Sequence, residues 1–356
     1  MTDKYRIDDH KLMYHVGRVN DWLGGHIVYP IYMELSPSGA CNHRCTFCGL
    51  DFMEYKKRFL DTEILKTRLT EMGQLGVKSI MYGGEGEPFL HPQMSEIINH
   101  TKASSIDVAV TTNGVLLTKE IVQASLLNIE WIKFSFNAGT KETYAKIHRT
   151  KSGDFDIAIN NIAYAVEYKK QHNLKCAIGI QILLLPENSG EILTLAKIAK
   201  EIGADYIVVK PYSQHIFSKT VKYSNIKYQD YQHLSSELSK FNSSSFNAIF
   251  RTETMKLWDK GERNYECCLA NTFWSYIDSG GNVWGCSVYL GDERFNYGNI
   301  NQSTFKEIWE GSIRMSAVDF IEKELDVSHC RVNCRMDKIN RYLWELKNPP
   351  EHVNFI

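Results

Sequence analysis

Six apolar segments rich in β-forming residues alternate with helical segments over the first 210 residues of the chain. The apolar segments cover residues 29–35, 79–83, 107–112, 131–136, 175–185 and 206–210. Between them, apolar residues recur with helical spacing, for example over residues 61–75, 155–170 and 189–202. Repeated strand–helix units are typical of a parallel sheet covered by helices. The sequence therefore predicts an α/β fold with a partial (β/α)6 TIM-like barrel.

The character of the sequence changes after about residue 235. A Ser- and Asn-rich segment at 241–247 interrupts the alternation. Residues 273–278 and 282–288 flank a Ser-Gly-Gly turn and predict a β-hairpin. We therefore expect a small α+β domain after the barrel. The expected parts are an N-terminal extension over residues 1–28, the barrel over residues 29–235 and the small domain over residues 236–356.

Charge and hydropathy exclude several functions. The chain has 41 basic and 42 acidic residues, which gives no electrostatic footprint for nucleic acid or for an anionic membrane. The polar N-terminus lacks the apolar core of a signal peptide, and no segment has the run of about 18 apolar residues that a membrane span needs. These features predict a cytosolic protein with a small-molecule substrate. Nine cysteines in such a protein favour metal binding over disulfides.

Three of the cysteines lie together directly after the first predicted strand. Cys41, Cys45 and Cys48 fall within eight residues, and the C-terminal ends of barrel strands are where functional groups collect. Three thiolates ligate three corners of a four-iron cluster and leave one iron open to a small molecule. The alternative is a zinc site that uses these cysteines with His43 or another residue.

The C-x3-C-x2-C spacing, with Phe47 before the third cysteine, resembles the signature of radical S-adenosylmethionine (SAM) enzymes. The resemblance implies a [4Fe-4S] cluster that binds SAM and a 5′-deoxyadenosyl radical that abstracts hydrogen. The Gly-rich segment 83–88 after the second strand is similar to the GGEP motif of this family, with a Gly-Glu pair inserted. The motif implies SAM contacts, and the alternative is a glycine-rich turn without a ligand. The matching residues are Gly83, Gly84, Glu85 and Glu87.

Further positions match the family at the ends of the third and fourth strands. The resemblance implies that Ser135 and Asn137 face the ribose and the methionine carboxylate of SAM. Arg149 would pair with the same carboxylate, or else remain a solvated helix charge. Asn113 would contact SAM, or only cap the turn that follows it.

The C-terminal cysteines resemble those of SPASM and twitch domains, which hold auxiliary iron–sulfur clusters. A full SPASM domain needs seven cysteines, and only five remain here, so the resemblance favours the shorter twitch arrangement with one auxiliary [4Fe-4S] cluster. Its implied ligands are Cys268, Cys286, Cys330 and Cys334. A structural zinc at these residues is the alternative. Cys267 is expected to be a replacement ligand, a catalytic hydrogen donor or a buried thiol, and Cys176 a core residue.

Substrate contacts are predicted after the sixth strand, at Lys210, Tyr212, Gln214 and His215. Lys210 would pair with a phosphate or carboxylate, or act as a catalytic proton acceptor. The alternative is a loop whose polar groups face solvent. Gln181 and Glu187, near the fifth strand, are further candidates.

An auxiliary cluster near the substrate implies a net oxidation, because the cluster can accept an electron from a substrate radical. The architecture resembles small twitch enzymes that oxidise a cyclitol alcohol, so we expect a sugar- or cyclitol-like substrate and an electron donor such as flavodoxin or ferredoxin. A maturase of ribosomal peptides is an alternative, although only about 28 residues precede the first strand, fewer than a leader-recognition domain needs. A zinc-stabilised binding module is the non-enzymatic alternative.

Overall fold

The computed structural model describes residues 4–355 and contains ten strands and twelve α-helices over that range. The strands are β1 (Tyr32–Leu35), β2 (Ser79–Tyr82), β3 (Asp107–Thr112), β4 (Trp131–Ser135), β5 (Ala177–Leu184), β6 (Tyr206–Pro211), β7 (Asn247–Phe250), β8 (Trp274–Ile277), β9 (Asn282–Trp284) and β10 (Asn296–Asn299). The helices are α1 (Val16–Leu23), α2 (Thr62–Gln74), α3 (Met94–Ala103), α4 (Lys119–Ser125), α5 (Lys141–His148), α6 (Gly153–Gln171), α7 (Ile192–Glu201), α8 (His233–Ser239), α9 (Thr252–Lys260), α10 (Phe305–Glu310), α11 (Ser312–Lys323) and α12 (Asp337–Lys347).

All ten strands belong to one sheet, in the order β10-β9-β8-β1-β2-β3-β4-β5-β6-β7. The strands from β8 to β7 in this order pair in parallel, whereas β9 and β10 run antiparallel to their neighbours. Because β10 and β7 form two separate edges, the barrel is open. The predicted α/β class with a partial barrel is confirmed, and β1 to β6 correspond to the six predicted strands.

Two further strands extend the parallel sheet beyond the prediction. Strand β7 lies after residue 235 and pairs with β6, with Asn247 opposite Tyr206. Strand β8 pairs with β1, with Trp274 opposite Tyr32, and forms the predicted hairpin with β9. The sheet is thus continuous across the expected domain boundary, which itself stays a prediction.

Lysines line the inner face of the barrel, here called the lumen. Side chains alternate between the two faces of a strand. On β4, Ile132 and Phe134 pack in the core under the helices, so Lys133 between them points to the lumen. On β6, Val209 packs in the same core and Lys210 therefore also faces the lumen.

Among residues 4–355, none of the helices combines the length and apolarity that crossing a membrane requires.

Candidate metal centres

The segment 41–48, here called the cysteine loop, is fastened to the C-terminal end of α5. The backbone amides of Arg44 and Thr46 donate to the carbonyls of His148 and Ile147, at 3.1 and 2.8 Å. The Arg44 guanidinium donates to the Cys41 carbonyl at 2.6 Å. These bonds satisfy carbonyls at the end of the helix and hold the cysteine loop beside the ends of the barrel strands.

The three thiols of the cysteine loop lie close enough to interact electrostatically. Burial raises the pKa of Cys45 well above its usual value, and Cys48 and Cys41 raise it further. Burial also raises the pKa of Cys41 to about 12. Without a cation, these buried thiols favour the protonated form, whereas iron would stabilise the thiolates. The backbone amide of His43 donates to Cys41 Sγ at 3.5 Å, a bond that supports a thiolate ligand. Three converging thiols therefore fit three corners of an iron–sulfur cluster.

Two histidines border the same sulfurs. One possible ligand atom from each of His43, Cys45 and His148 lies within 4.8 Å of the others. His43 Nε2 lies 3.3 Å from Asp154, and His148 Nε2 lies 2.8 Å from the Phe136 carbonyl. This group contains one cysteine and two histidines, so it does not reproduce the zinc alternative, in which Cys41 and Cys48 would join Cys45 and His43.

The segment 83–88, here called the Gly-Glu turn, packs on Ser38 and Ala40, directly before the cysteine loop. A Cβ on Gly86 would lie 2.0 Å from the Ala40 carbonyl oxygen, and the Glu87 amide donates to that oxygen at 2.9 Å. Gly84 has φ +103°, and a Cβ there would lie 2.2 Å from the hydroxyl of Tyr276 on β8. Gly86 is therefore required by the close approach of another backbone segment, and Gly84 by its positive φ and by the Tyr276 hydroxyl.

The two glutamates of this turn have different partners. Glu87 accepts hydrogen bonds from the Thr112 hydroxyl and the Asn113 amide, at 2.6 and 2.9 Å, and so joins the ends of β2 and β3. Burial raises the pKa of Glu87 to about 7. Glu85 instead accepts from Ser279 in the C-terminal hairpin. Glu87 thus lies at the cysteine loop, whereas the Glu85 carboxylate is engaged by the hairpin.

The remaining predicted SAM residues lie at the same edge of the sheet. The side-chain Nδ2 of Asn113 donates to Asn42 Oδ1 in the cysteine loop at 2.7 Å. Asn137 is fully buried at φ +57°, and its side chain accepts from the Leu183 amide at 2.7 Å and donates to the Ser135 hydroxyl at 3.1 Å. The structure therefore uses the Asn137 side chain to hold strand ends together.

One cavity beside the cysteine loop is lined by both cationic and acidic side chains, the latter being Asp51 and Glu54. Arg149 ends α5 in the left-handed conformation, with φ 48°, and lines this cavity together with Cys45 and Arg44. Phe47 packs edge-on against His148, with ring centroids 5.5 Å apart. Tyr55, which the sequence reasoning missed, lines the same cavity and hydrogen-bonds to Cys48.

The four C-terminal cysteines named as ligands line a single cavity, here called the auxiliary cavity. They are Cys268, Cys286, Cys330 and Cys334. The amide of Val288 donates to Cys286 Sγ at 3.3 Å, and the Asn340 side chain donates to Cys268 Sγ at 3.5 Å. Burial raises the pKa of Cys268 to about 12. Four converging thiols with hydrogen-bond donors to sulfur fit a fully ligated iron–sulfur cluster.

The other two cysteines lie elsewhere. Cys267 packs in the apolar cluster of Leu12, Trp22 and Leu269, whereas the four thiols of the auxiliary cavity pack in a different cluster. The structure therefore does not bring Cys267 to the lumen, where a hydrogen donor would act. Cys176 is buried in the main core, as predicted.

Of the predicted substrate contacts, Lys210 reaches an open cavity at the mouth of the lumen, here called the mouth cavity. Tyr212 is buried, with its ring centroid 5.3 Å from that of Tyr223. Gln214 donates to the Thr220 carbonyl at 2.9 Å, and His215 Nε2 lies 2.9 Å from the Ser287 carbonyl. These three side chains build the loop after β6.

The other two candidates at the barrel have local partners or neighbours. Gln181 on β5 is buried opposite Ser135, and Glu187 accepts from the Tyr223 hydroxyl at 3.1 Å. In contrast, Lys133 and Arg331 were not predicted from the sequence as residues of the lumen or the mouth cavity. The alternation of β4 was the available signal for Lys133, because its neighbours Ile132 and Phe134 are apolar.

Comparison with known families assigns the chain. Residues 35–199 match the family model of the radical SAM superfamily, and residues 267–335 match that of the SPASM iron–sulfur cluster-binding domain. Both groups of cysteines that the sequence predicts as ligands lie within the matched ranges. The chain therefore belongs to the radical SAM superfamily. Within that superfamily it is a member with a C-terminal SPASM-type domain, and its cofactors are a [4Fe-4S] cluster with SAM and auxiliary iron–sulfur.

Individual relatives are distant. The tungsten-containing aldehyde ferredoxin oxidoreductase cofactor-modifying protein of Pyrococcus furiosus is 25% identical over 182 residues, which are 50% of each chain. The AdoMet-dependent heme synthase of Methanosarcina barkeri is 25% identical over 300 residues, 77% of this chain and 80% of that protein. Streptococcus suis SuiB bound to S-adenosylmethionine shares the fold, with a TM-score of 0.62 and 19% identity over 85% of this chain and 70% of SuiB. The chain spans only half of the Pyrococcus relative.

Proposed function

We propose that the protein is a radical SAM oxidoreductase that removes hydrogen from a small polar, sugar- or cyclitol-like substrate in the barrel lumen. When bound, the cluster at the cysteine loop and SAM supply the 5′-deoxyadenosyl radical. An alcohol carbon of the substrate would lose one hydrogen atom and then one proton and one electron to become a carbonyl. Auxiliary iron–sulfur would accept that electron, and flavodoxin or ferredoxin would provide the electron that SAM cleavage consumes.

One observation carries this proposal. Cys334 lines the auxiliary cavity and also the mouth cavity, which Lys210 borders at the end of β6. A substrate in the mouth cavity would therefore lie against a ligand of the auxiliary centre. Such proximity favours electron transfer out of the substrate and hence a net oxidation.

The loop after β6 would shield the reacting groups from water. The loop after β6 contacts the cysteine loop and the residues that follow it, because the Ser218 hydroxyl donates to the Cys48 carbonyl at 3.3 Å and the Thr220 amide donates to Asp51 at 3.1 Å. His215 fastens the same loop to Ser287, next to Cys286 in the auxiliary cavity. The loop thereby joins both metal centres and limits access of water to the space between them.

The proposal is tested with the anaerobically reconstituted protein, SAM, a reductant and deuterium-labelled cyclitols and sugars. The expected result is transfer of deuterium from one labelled carbon into 5′-deoxyadenosine, together with a carbonyl product. Zinc in place of iron, or no 5′-deoxyadenosine with any member of the panel, would contradict the proposal. A labelled peptide that transfers deuterium while the cyclitols and sugars do not would also contradict it.

A further inference from the structure

The mouth cavity lies where the end of β6, the beginning of α9 and the segment 331–338 meet. Its polar lining includes Lys210, Arg251, Arg331, Asn333 and Arg335. Four of these five side chains are or can be positively charged, although the chain as a whole has a net charge of −1. The positive charge is therefore concentrated locally at this cavity.

The acidic groups at the cavity are already paired with other cations. Asp337 accepts from the Arg341 guanidinium at 2.7 Å. Asp9 forms an ion pair with Arg6. Neither carboxylate is therefore available as the main partner of a lysine in the lumen.

Two of the cavity arginines also have carboxylate partners. Arg251 donates to Asp8 at 3.0 Å. Arg335 pairs with Glu34, a buried residue of β1. These two pairs account for the negative charge that faces the cavity from the N-terminal segment and from β1.

In the part of the chain that the structure describes, the other cations at or near the cavity have no carboxylate partner, and of these Lys338 donates to the backbone carbonyl of Asp8. Within residues 4–355, no carboxylate oxygen lies within 4.0 Å of the charged groups of Lys133, Lys210 or Arg331. The Nε of Arg331 is buried and has no hydrogen-bond acceptor. Burying unpaired charge is costly, so natural proteins pair such groups or bring them to a ligand.

The pKa values of the two lysines also reflect the local excess of positive charge. Burial lowers the pKa of Lys210 well below its usual value, and the positive charges of Lys133, Arg251 and Arg331 lower it further. Burial lowers the pKa of Lys133 to about 8, and Arg251 adds to this effect. An anion placed among these groups would remove the repulsion and keep both ammonium groups charged.

We infer that Lys210 and Arg331, which line the mouth cavity, bind a phosphate or carboxylate group of the substrate, and that the positive charge of Lys133 in the lumen adds to the attraction. Resting on the proposed function, this assigns the substrate to the acidic sugars or cyclitols, or to their phosphate esters. Arginine and lysine donate charge-assisted hydrogen bonds to either oxyanion. Because Cys334 lines the same cavity, the anion site would hold the substrate beside the auxiliary centre.

Binding of small anions to the reconstituted protein tests the inference without turnover. The probes are inorganic phosphate and succinate, titrated by calorimetry at constant ionic strength, so that the two arms distinguish phosphate from carboxylate recognition. The variants are Lys210→Gln and Arg331→Gln. Lys197→Gln is the matched control, because Lys197 is 70% exposed on α7 and its ammonium lies 3.8 Å from Glu201.

At least one probe is expected to bind the wild-type protein and the control equally, and about tenfold or more weakly to both variants. Equal affinity in all four proteins, or no binding of either probe, would overturn the inference. Should a glutamine variant fold poorly, Lys210→Met or Arg331→Met replaces it, since methionine keeps an apolar stem and removes a buried unpaired charge, and the same loss of probe binding is expected. Retention of probe binding by Lys210→Gln would assign Lys210 to proton transfer alone and likewise overturn the inference.

The outcome of the anion-binding experiment can be distinguished from the outcome of the deuterium-transfer experiment that tests the proposed function. Anion binding that depends on Lys210 and Arg331, without deuterium transfer from any labelled compound, supports the anion site and refutes the oxidation. Deuterium transfer from a neutral cyclitol, without binding of either anion, supports the oxidation and refutes the anion site.

Discussion

The carboxylate of Glu85 accepts hydrogen bonds from both the backbone amide and the hydroxyl of Ser279, each at 2.9 Å. The two residues are 194 positions apart and belong to the radical SAM region and the C-terminal hairpin. Arg58 reinforces the contact, with its Nε donating to the Ser279 hydroxyl at 2.6 Å and a terminal nitrogen donating to Glu85 at 3.2 Å. The hairpin thereby supports the Gly-Glu turn next to the cysteine loop.

Replacing Glu85 with glutamine should weaken this support. The Glu85→Gln variant loses the ion pair with Arg58 and one of the two acceptors used by Ser279. We expect the free energy of unfolding to fall by about 1–3 kcal/mol, because a buried network is left partly unsatisfied. Urea unfolding measures the stability, and equilibrium dialysis should show weaker binding of SAM.

Glu63→Gln is the matched control, since Glu63 is 77% exposed on α2. Its stability and SAM affinity should equal those of the wild-type protein. If Glu85→Gln also binds SAM with wild-type affinity, the hairpin does not position the Gly-Glu turn.

A methyl group at Gly86 should displace the cysteine loop. A Cβ there would lie 2.0 Å from the Ala40 carbonyl oxygen and 2.6 Å from that of Ser38, so the backbone must shift. We expect Gly86→Ala to lose iron from the first centre and to bind SAM about tenfold more weakly or worse. Gly190→Ala is the control, because a Cβ at Gly190 has no neighbour within 4 Å. Normal iron content in Gly86→Ala would contradict the predicted contact.

The sequence predicted the elements that depend on local pattern. Strands β1 to β6 have apolar segments flanked by helical periodicity, and the hairpin of β8 and β9 has a turn with two glycines. The cysteine spacing predicted which thiols converge. These features are readable because strand alternation, helix period and ligand spacing are encoded by neighbouring residues.

The sequence pattern does not reveal which distant strands pair or which hydrogen-bond partners a side chain has. Strand β7 has only four residues and one buried position, so its sequence shows no recognisable periodicity. The pairing of β8 with β1 joins segments more than 230 residues apart. Asn137, predicted from resemblance as a SAM contact, bonds to Leu183 and Ser135 because its backbone adopts a positive φ that the sequence does not reveal.

The two metal centres should lose iron independently. If both hold four-iron clusters, the reconstituted protein should contain about eight irons per chain, and Cys286→Ser about four. Cys286→Ser should still bind SAM and cleave it, since Cys41, Cys45 and Cys48 are intact. Iron, sulfide and zinc analyses provide the measurement.

Cys267→Ser is the matched control for this loss, because Cys267 packs in the cluster of Leu12 and Trp22, apart from the auxiliary cavity. It should retain all the iron. Zinc bound by the wild-type protein and absent from Cys286→Ser would instead identify the second centre as a structural zinc site.

The pKa of Glu87 should make stability depend on pH in a defined window. Burial raises the pKa of this carboxyl from 4.5 to about 7, so the folded protein holds the proton more tightly than the unfolded chain. Its stabilising effect is therefore complete below pH 4.5 and is lost as the pH rises through about 7. The loss amounts to about 3 kcal/mol. Urea unfolding between about pH 5 and about pH 8 should show a steeper fall for the wild-type protein than for Glu87→Gln, which cannot titrate. Parallel pH profiles for the two proteins would show that Glu87 has an ordinary pKa in the folded state.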